Sequence, residues 1–396
     1  MKTRTKRILL FSLCVALLVG CAVFAFAATD TDYKVVDHVV YQLIPADKET
    51  LEHYDLVSFF DSEDASQTTT KITIPSEING IPVTTIDAQN IPASDMYFNS
   101  VVEEIVLPDT ITEIGKHAFV NMRNLSSIEI PASVTSLGYA AFSYCNSLKE
   151  ITIPESVETI GFGCFARCKK LQEVNILGNG LKTIGKTAFS RCAKLQSVTL
   201  PASLQSIGRL AFFRSGLKSV RIPGSCRLDS DAFSTATKLK KVVFEDRTND
   251  DAGFLSAGAF SNCSNLLKVY LPKQAPNYRI YGATFSFCRK LKAVYRTEHV
   301  THIHLEAFTA CESLTSFTIP AGIKQVDYSA FKGCDGLKKL RVLATDASVF
   351  VNHRKYGNCL QTLPDDCKIY VKTAAMKRAV ADAGCTNKVI VKADLK

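Results

Sequence analysis

The chain has 396 residues, of which 46% are hydrophobic and 21% are charged, with 20 Gly and 13 Pro. These values are typical of a folded protein with a sizeable buried core, and they exclude collagen-like and broadly disordered chains. The formal net charge is +9, but this small sum hides a strong segregation of charge along the chain.

The N-terminal residues predict an export signal. Four cations, at positions 2, 4, 6 and 7, precede an apolar run from Ile8 to Ala28. The small residues of AFAA at 25–28 favour cleavage after Ala27, so that 1–27 would be a signal peptide. LVGC at 18–21 instead resembles a lipobox that would lipidate Cys21. An uncleaved anchor is a third alternative, because the run has about the ~20 residues that a membrane span needs.

All three alternatives export the protein and limit membrane attachment to an N-terminal lipid or signal anchor. Simple secretion is favoured, because the residues after Cys21 are unusually apolar for a lipoprotein tether. We therefore expect an extracellular or cell-surface location.

A ladder of phenylalanines recurs at intervals of 21 to 27 residues: Phe119, Phe142, Phe165, Phe189, Phe212, Phe233, Phe260, Phe285, Phe308 and Phe331. Six residues after most of them, Leu opens an LxxIxI pattern, which is often closed by Pro and followed by a second apolar pair ending in IG. Alternation at Ile151 and Ile153 has the period of a β-strand. A single unit cannot bury its own apolar edge, whereas stacked units can. The sequence therefore predicts a repeat solenoid.

The pattern AF–xx–C–xx–L–xx–I–x–IP–xx–V–xx–IG resembles the BspA-like leucine-rich repeats of secreted bacterial surface proteins. The match spans ten tandem units from Ile111 to Val342. KITIPSEINGIPVTTI at 71–86 resembles the first repeat of such proteins, and CKIYVKTAAMKRAVADAG at 367–384 resembles their C-terminal cap. The resemblance implies short stacked β-strands on one face and irregular or 3₁₀ segments on the other, capped at both ends. It also implies exported proteins that bind other macromolecules, with no catalytic residues to carry over.

Four segments follow from this reading of the chain: a signal peptide (1–27), an N-terminal cap with divergent first repeats (28–110), tandem repeats (111–343) and a C-terminal cap (344–396). Within the N-terminal cap, we expect residues 33–61 to form strands that cover the first coil. An open end would expose unpaired backbone and apolar side chains.

Fourteen cysteines in an exported chain would ordinarily indicate disulfides. Seven of them, however, each lie three residues after a ladder phenylalanine: Cys145, Cys168, Cys192, Cys263, Cys288, Cys311 and Cys334. A column of small buried thiols explains this spacing better than redox or metal chemistry does. The redox state of Cys359, Cys367 and Cys385, which lie in the C-terminal cap, stays open.

The outward positions of the LxxIxI strands predict a ligand-binding cluster. These positions carry cations and tyrosines in the later repeats: Arg221, Lys241, Lys268, Tyr270, Tyr295, Lys339 and Arg341. Tyr and Arg are favoured at the centres of binding surfaces. An ordinary solvated sheet surface is an equally good interpretation. If this is a site, we expect its partner to be an extracellular protein or an anionic glycan.

Charge is segregated along the chain. Residues 28–160 contain 6 Lys/Arg and 21 Asp/Glu, whereas residues 161–241 contain 15 Lys/Arg and 3 Asp/Glu. The electric field of such a charge distribution steers charged partners toward the protein. As an alternative function, a structural protein could self-associate through its acidic N-terminal and basic middle segments. Nucleic acid is not expected as a partner, because the chain carries an export signal and lacks a nucleic-acid-binding motif.

Candidate chemistry is weak. His299, His302 and His304 lie close together, but His302 and His304 flank an inward Ile and favour a polar surface patch over a metal site. Cys164 and Cys168 lack a second pair at zinc spacing. We therefore predict a non-enzymatic, adhesin-like binding protein with no metal and no cofactor.

Overall fold

The computed structural model describes residues 33–36, 39–44, 51–59, 70–88, 102–247, 254–275, 277–355 and 357–395. The predicted signal peptide, including Cys21, lies outside these residues. Within them, no helix combines the length and the apolar character needed to span a bilayer.

Short strands dominate the chain. The first fourteen are β1 Tyr33–Val36, β2 Val39–Ile44, β3 His53–Phe59, β4 Lys71–Thr73, β5 Glu77–Ile78, β6 Ile81–Ile86, β7 Glu104–Val106, β8 Glu113–Ile114, β9 Ser127–Ile128, β10 Ser136–Leu137, β11 Glu150–Ile153, β12 Thr159–Ile160, β13 Glu173–Ile176 and β14 Thr183–Ile184.

The later strands are β15 Ser197–Val198, β16 Ser206–Ile207, β17 Ser219–Ile222, β18 Arg227–Leu228, β19 Lys241–Phe244, β20 Lys268–Tyr270, β21 Tyr278–Ile280, β22 Ala293–Tyr295, β23 Val300–Ile303, β24 Ser316–Ile319, β25 Gln325–Val326, β26 Lys339–Val342, β27 Lys368–Val371 and β28 Val389–Val391. The helices are two 3₁₀ turns, Ala347–Val349 and Cys359–Thr362, and α1, Ala374–Asp382.

The chain folds into a solenoid of about 12 turns, in which successive coils pair through parallel strands. The LxxIxI strands form one side, which we call the strand face. Its hydrogen-bonded groups are β4-β7-β9, β11-β13-β15, β17-β19-β20-β22 and β24-β26-β27-β28. Pairing is in register, so that Ile151 of β11 stands beside Val174 of β13. The prediction of stacked short strands is confirmed.

Strands also form on a second side of each coil, so the expectation of a single strand face is incomplete. The apolar pairs that precede each IG form the parallel ladder β6-β8-β10-β12-β14-β16-β18, which continues as β21-β23-β25 after an interruption. Each of these strands has only two to six residues. The sequence does not predict these strands, because a strand of two residues shows no alternation.

The segment around each ladder phenylalanine forms the third side, which we call the turn face. Its backbone also bonds between coils, since Phe142 donates its N–H to the carbonyl of Cys164 at 2.8 Å. In nearly every coil, residues two before and two after the ladder phenylalanine have left-handed backbones, such as Ala140 (φ 52°) and Tyr144 (φ 64°). This alternation turns the chain tightly enough to hold the ring inside.

The ladder phenylalanines lie in a single file. Every one of them is fully buried, and neighbouring ring centroids are 4.9 to 5.7 Å apart from Phe119 to Phe331. One continuous core therefore runs through the repeats, as the periodicity predicts.

The seven ladder cysteines fill positions beside this file. Each thiol donates to the carbonyl of the ladder phenylalanine in the preceding coil, at 3.0 to 3.2 Å. The prediction of buried thiols is confirmed, and every cysteine among the described residues, including the three in the C-terminal cap, is unpaired. A thiol is small enough for the column and still satisfies a carbonyl that points along the axis.

Both ends of the stack are covered. The strands β1, β2 and β3 form an antiparallel sheet, and β3 pairs in parallel with β6 of the first coil. At the other end, β27 and β28 extend the strand face beyond β26, and α1 contacts both of these strands. The exposed strand face therefore continues from the repeats into the C-terminal cap.

Candidate binding surface

Five of the predicted site residues lie on four adjacent strands. Arg221 is on β17, Lys241 on β19, Lys268 and Tyr270 on β20, and Tyr295 on β22. Lys241 stands beside Lys268, and Tyr270 stands beside Tyr295, in the registers of the parallel pairs. Because side chains alternate across a strand, these residues point outward while Val242 and Val269 enter the core.

An aromatic pair forms the centre of this cluster. The rings of Tyr270 and Tyr295 stack with centroids 4.7 Å apart and planes 15° from parallel. The Nζ atom of Lys241 lies 5.4 Å from the Tyr270 centroid, and the Arg296 guanidinium lies 5.8 Å from it. Both distances are within the range of cation–π attraction. We call Lys241, Lys268, Tyr270, Tyr295 and Arg296 the tyrosine cluster.

One face of the Tyr295 ring is open to a ligand. Tyr270 covers the other face, and among the described residues no ring or cation packs on the open one. On the next strand, the corresponding outward residue is the shorter Thr318. Tyr295 is 39% exposed. A planar or apolar group of a ligand could therefore stack on it.

Arg296 was not found by sequence reasoning. It follows β22 directly and has a left-handed backbone (φ 67°). It is therefore not one of the outward positions of the LxxIxI strands, from which the other residues were predicted. Arg296 could have been predicted from its position in the sequence, because it is a cation that directly follows the outward Tyr295 where the strand ends.

The remaining predicted residues do not join the tyrosine cluster. Arg221 already pairs with Glu245, at 3.5 Å between Nη1 and Oε1. Lys339 and Arg341 lie on β26, beyond the intervening strand β24. There Arg341 stands beside Tyr370 of β27, and the Lys339 Nζ atom lies 5.0 Å from the Tyr370 ring centroid. Tyr370 belongs to the C-terminal cap, which does not follow the repeat pattern. The outward positions of the repeats therefore did not predict it.

A second aromatic column lies on another side of the solenoid. Residues that follow the glycine of each IG stack from coil to coil: the rings of Tyr139 and Phe162 are 4.9 Å apart and 7° from parallel. Lys116 lies over the Tyr139 ring at 5.7 Å, and Lys186 lies over Phe162 at 5.3 Å. We call these four residues the corner column. Its ring faces are covered on both sides by its own members, so it offers less to a ligand than Tyr295 does.

The predicted histidine patch is partly covered. His302 bonds through Nδ1 to the Thr301 hydroxyl at 2.9 Å, and His304 lies 3.4 Å from Asp327. Burial and the nearby Arg279 lower the pKa of His302. In the part of the chain that the structure describes, no group of three or more His, Cys, Asp or Glu side chains is arranged to hold a metal ion.

The tyrosine cluster therefore combines stacked aromatic rings with cations on the outward side of a sheet. Such a surface can bind acidic groups through charge and planar groups through stacking. It holds no nucleophile paired with a base, and the thiols beneath it are buried. Burial raises the pKa of Cys263 to about 12, which keeps this thiol protonated and unreactive at neutral pH.

The parallel coils, the single file of phenylalanines and the inward leucines define a leucine-rich-repeat solenoid. A family model described as "BspA type Leucine rich repeat region" matches residues 89–179, 176–275 and 253–353. These matches cover more than half of the chain, which belongs to the BspA-type leucine-rich-repeat family. No curated protein matches the sequence.

Several solved structures are similar to this chain at low sequence identity. A leucine-rich repeat protein from Bacteroides ovatus is 24% identical, with a TM-score of 0.52, over 91% of this chain and 99% of the other. The pneumococcal vaccine antigen PcpA is 18% identical, with a TM-score of 0.50, over 91% and 98%. A leucine-rich cell surface protein from Faecalibacterium prausnitzii is 22% identical, with a TM-score of 0.45, over 90% and 98%.

Proposed function

We propose that the protein is exported, remains at the cell surface or is secreted, and binds an extracellular protein or an anionic glycan across its strand face. It acts without catalysis and without a cofactor. Export is supported by the cationic start, the apolar run and the AFAA site of the N-terminal sequence. Cleavage after Ala27 and lipidation at Cys21 would both place the repeats outside the cell.

The observation that carries the binding proposal is the open Tyr295 ring, stacked on Tyr270 and surrounded by cations. Exposed aromatic rings lose little conformational entropy when they bind, and they supply a large contact area. Lys268 and Arg296 would pair with carboxylates or sulfates of the ligand, and Arg can do so with two parallel hydrogen bonds.

A matched pair of variants tests the proposal. The first variant is K241A/K268A/Y270A/Y295A, which removes two lysines and two rings from the tyrosine cluster. The control is K116A/Y139A/F162A/K186A, which removes the same groups from the corner column. Each protein is applied to an array of immobilised sulfated and carboxylated glycans and matrix proteins, and the affinity for each positive spot is then measured.

We expect the cluster variant to lose binding at least about tenfold, which corresponds to about 1.4 kcal/mol, while the control binds as the native protein does. Circular dichroism establishes that both variants are folded. Equal affinity of the cluster variant and the native protein for every spot would contradict the proposed surface.

A further inference from the structure

Three exposed arginines form a row along the turn face. Arg167, Arg191 and Arg214 each lie two residues after a ladder phenylalanine, on three successive coils. The phenylalanine rings of these coils are 5.3 and 5.2 Å apart, so the arginines repeat about every 5 Å. Among the described residues, none of the three pairs with an acidic side chain within 4.0 Å. We call these three residues the arginine row.

Neighbouring rings support the row. The Arg167 guanidinium lies 5.2 Å from the centroid of Tyr144, and Arg214 lies 5.1 Å from that of Phe213. Arg191 lies 6.0 Å from the same Phe213 ring. These contacts hold the guanidinium groups along the surface and leave their N–H groups free to bind an anion.

The backbone gives no local reason for arginine at these positions. Arg167, Arg191 and Arg214 have φ values of 63°, 63° and 54°, in the left-handed region where Asn and Gly are favoured. Equivalent positions in other coils do carry such residues, namely Asn121, Asn262 and Gly333. Three like charges at successive strained positions repel one another, so the row costs stability in the isolated chain.

An acidic row lies on the strand face of the earlier coils. Glu129, Glu150 and Glu173 are exposed on three successive coils, and Glu150 stands directly beside Glu173 in the pairing of β11 with β13. Like charges opposite each other destabilise a sheet. None of the three makes an ion pair with another described residue. We call these three residues the acidic row.

The two rows have opposite charge, and each places one side chain on each of three successive coils. Glu150 and Glu173 stand in register one coil apart, as successive arginines do, whereas Glu129 lies on the coil before them, two residues further along that coil. We infer that the acidic row of one copy of the chain docks on the arginine row of a second copy. Guanidinium and carboxylate groups match in geometry and form paired hydrogen bonds. Contact relieves the repulsion within both rows at once.

This contact would propagate. The rows lie on different faces of the solenoid, so each copy would bind one neighbour through its acidic row and another through its arginine row. Such a heterologous interface yields chains or rings rather than closed two-fold dimers. It uses no residue of the tyrosine cluster, so it stands or falls independently of the proposed ligand-binding surface.

Sedimentation velocity of the purified protein and of two charge-reversal variants tests the inference. One variant, R167E/R191E/R214E, has two acidic surfaces, and the other, E129R/E150R/E173R, has two basic ones. Samples are compared at about 50 mM and about 500 mM salt, because the higher concentration shortens the screening length to a few ångströms. Circular dichroism and thermal melting verify that each variant is folded.

We expect the native protein to form species larger than dimers at low salt and to dissociate at high salt. Each variant alone should stay monomeric at low salt, and an equimolar mixture of the two should assemble again. Assembly of the mixture would show that each variant alone stays monomeric because its interface is lost and not because the protein is unfolded. A native protein that is monomeric at low salt, a variant that assembles alone, or a mixture that stays monomeric would each overturn the inference.

Discussion

Seven of the ten ladder phenylalanines serve the fold in two ways. The Phe165 ring, for example, stacks on the rings of Phe142 and Phe189, and the Phe165 carbonyl accepts the S–H of Cys192 in the following coil. The ring buries a large apolar area in its coil, whereas the thiol gives a second hydrogen-bond donor to a carbonyl in the core.

Truncation of a ladder ring should be far more costly than truncation of an exposed ring. Phe189→Ala removes a fully buried side chain and should destabilise the protein by about 3–5 kcal/mol. Phe162→Ala is the control, because Phe162 is also stacked but is 39% exposed; it should cost about 0.5–1.5 kcal/mol. Urea denaturation measures both changes, and equal costs would contradict a continuous phenylalanine core.

The buried thiols predict a loss of stability in alkali. Burial raises the pKa of Cys226 and Cys263 to about 12, whereas an unfolded thiol has a pKa of about 8.5. Between these values the unfolded chain releases protons that the folded chain keeps, so stability falls as pH rises, by up to about 1.4 kcal/mol per pH unit for each such thiol.

Urea midpoints measured between pH 8 and pH 10 test this dependence. A double variant, C226S/C263S, lacks both titrating groups and should lose stability less steeply than the native protein over the same range. Identical slopes for the two proteins would show that these thiols are ionised in the folded state.

At the scale of one coil, the glycine of each IG decides how closely two coils approach. The backbones of Gly115 and Gly138 touch, and a Cβ atom on Gly138 would lie 2.4 Å from the Gly115 carbonyl carbon. Backbone atoms cannot move aside as a flexible side chain can. The glycine is therefore needed for close approach between coils rather than for an unusual backbone angle.

Gly138→Ala should accordingly destabilise the protein by about 1–3 kcal/mol, because the added methyl group forces adjacent coils apart. Gly322→Ala is the matched control: Gly322 is exposed in a turn, and its added Cβ would meet no atom within 4 Å. The control should be neutral or slightly stabilising, since alanine restricts the unfolded chain. Thermal melting of both variants measures the difference, and equal melting temperatures would contradict the close contact of the glycine column.

The repeated elements could be predicted from the sequence, because every coil needs the same kinds of side chain at the same positions to fill the core. Phe189 and Cys192 were placed in the core by periodicity alone, and Tyr270 and Tyr295 were placed on one face by strand alternation. The stacking of these two tyrosines depends on the register of β20 with β22, which the equal spacing within the repeat already implies.

Features outside the repeat rule could not be predicted. Arg247 is buried in the irregular coil and donates from Nη1 to the Cys226 carbonyl at 2.8 Å, with its guanidinium 4.3 Å from the Phe254 ring. No spacing in the sequence points to this contact, because it exists only once. Tyr370 likewise reaches the strand face through the pairing of β26 with the cap strand β27.

At the scale of the whole molecule, the stack converts a sequence repeat into continuous rows of side chains. This holds for all four surfaces: the tyrosine cluster, the corner column, the arginine row and the acidic row. In each of them, residues that are neighbours on adjacent coils are more than 20 positions apart in the sequence. Coil stacking alone brings them together. All four surfaces therefore depend on the same geometric fact, that each repeat adds one coil to one stack.

Distances between pairs of spin labels measure this stacking directly. Labels at Gln172 and Lys240 are separated by three coils, and labels at Gln172 and Lys292 by five; all three positions are exposed and equivalent within the repeat. Coils stacked at strand spacing predict that the second distance exceeds the first by about 10 Å. Equal distances, or a second distance shorter than the first, would show that the repeats do not form a single stack.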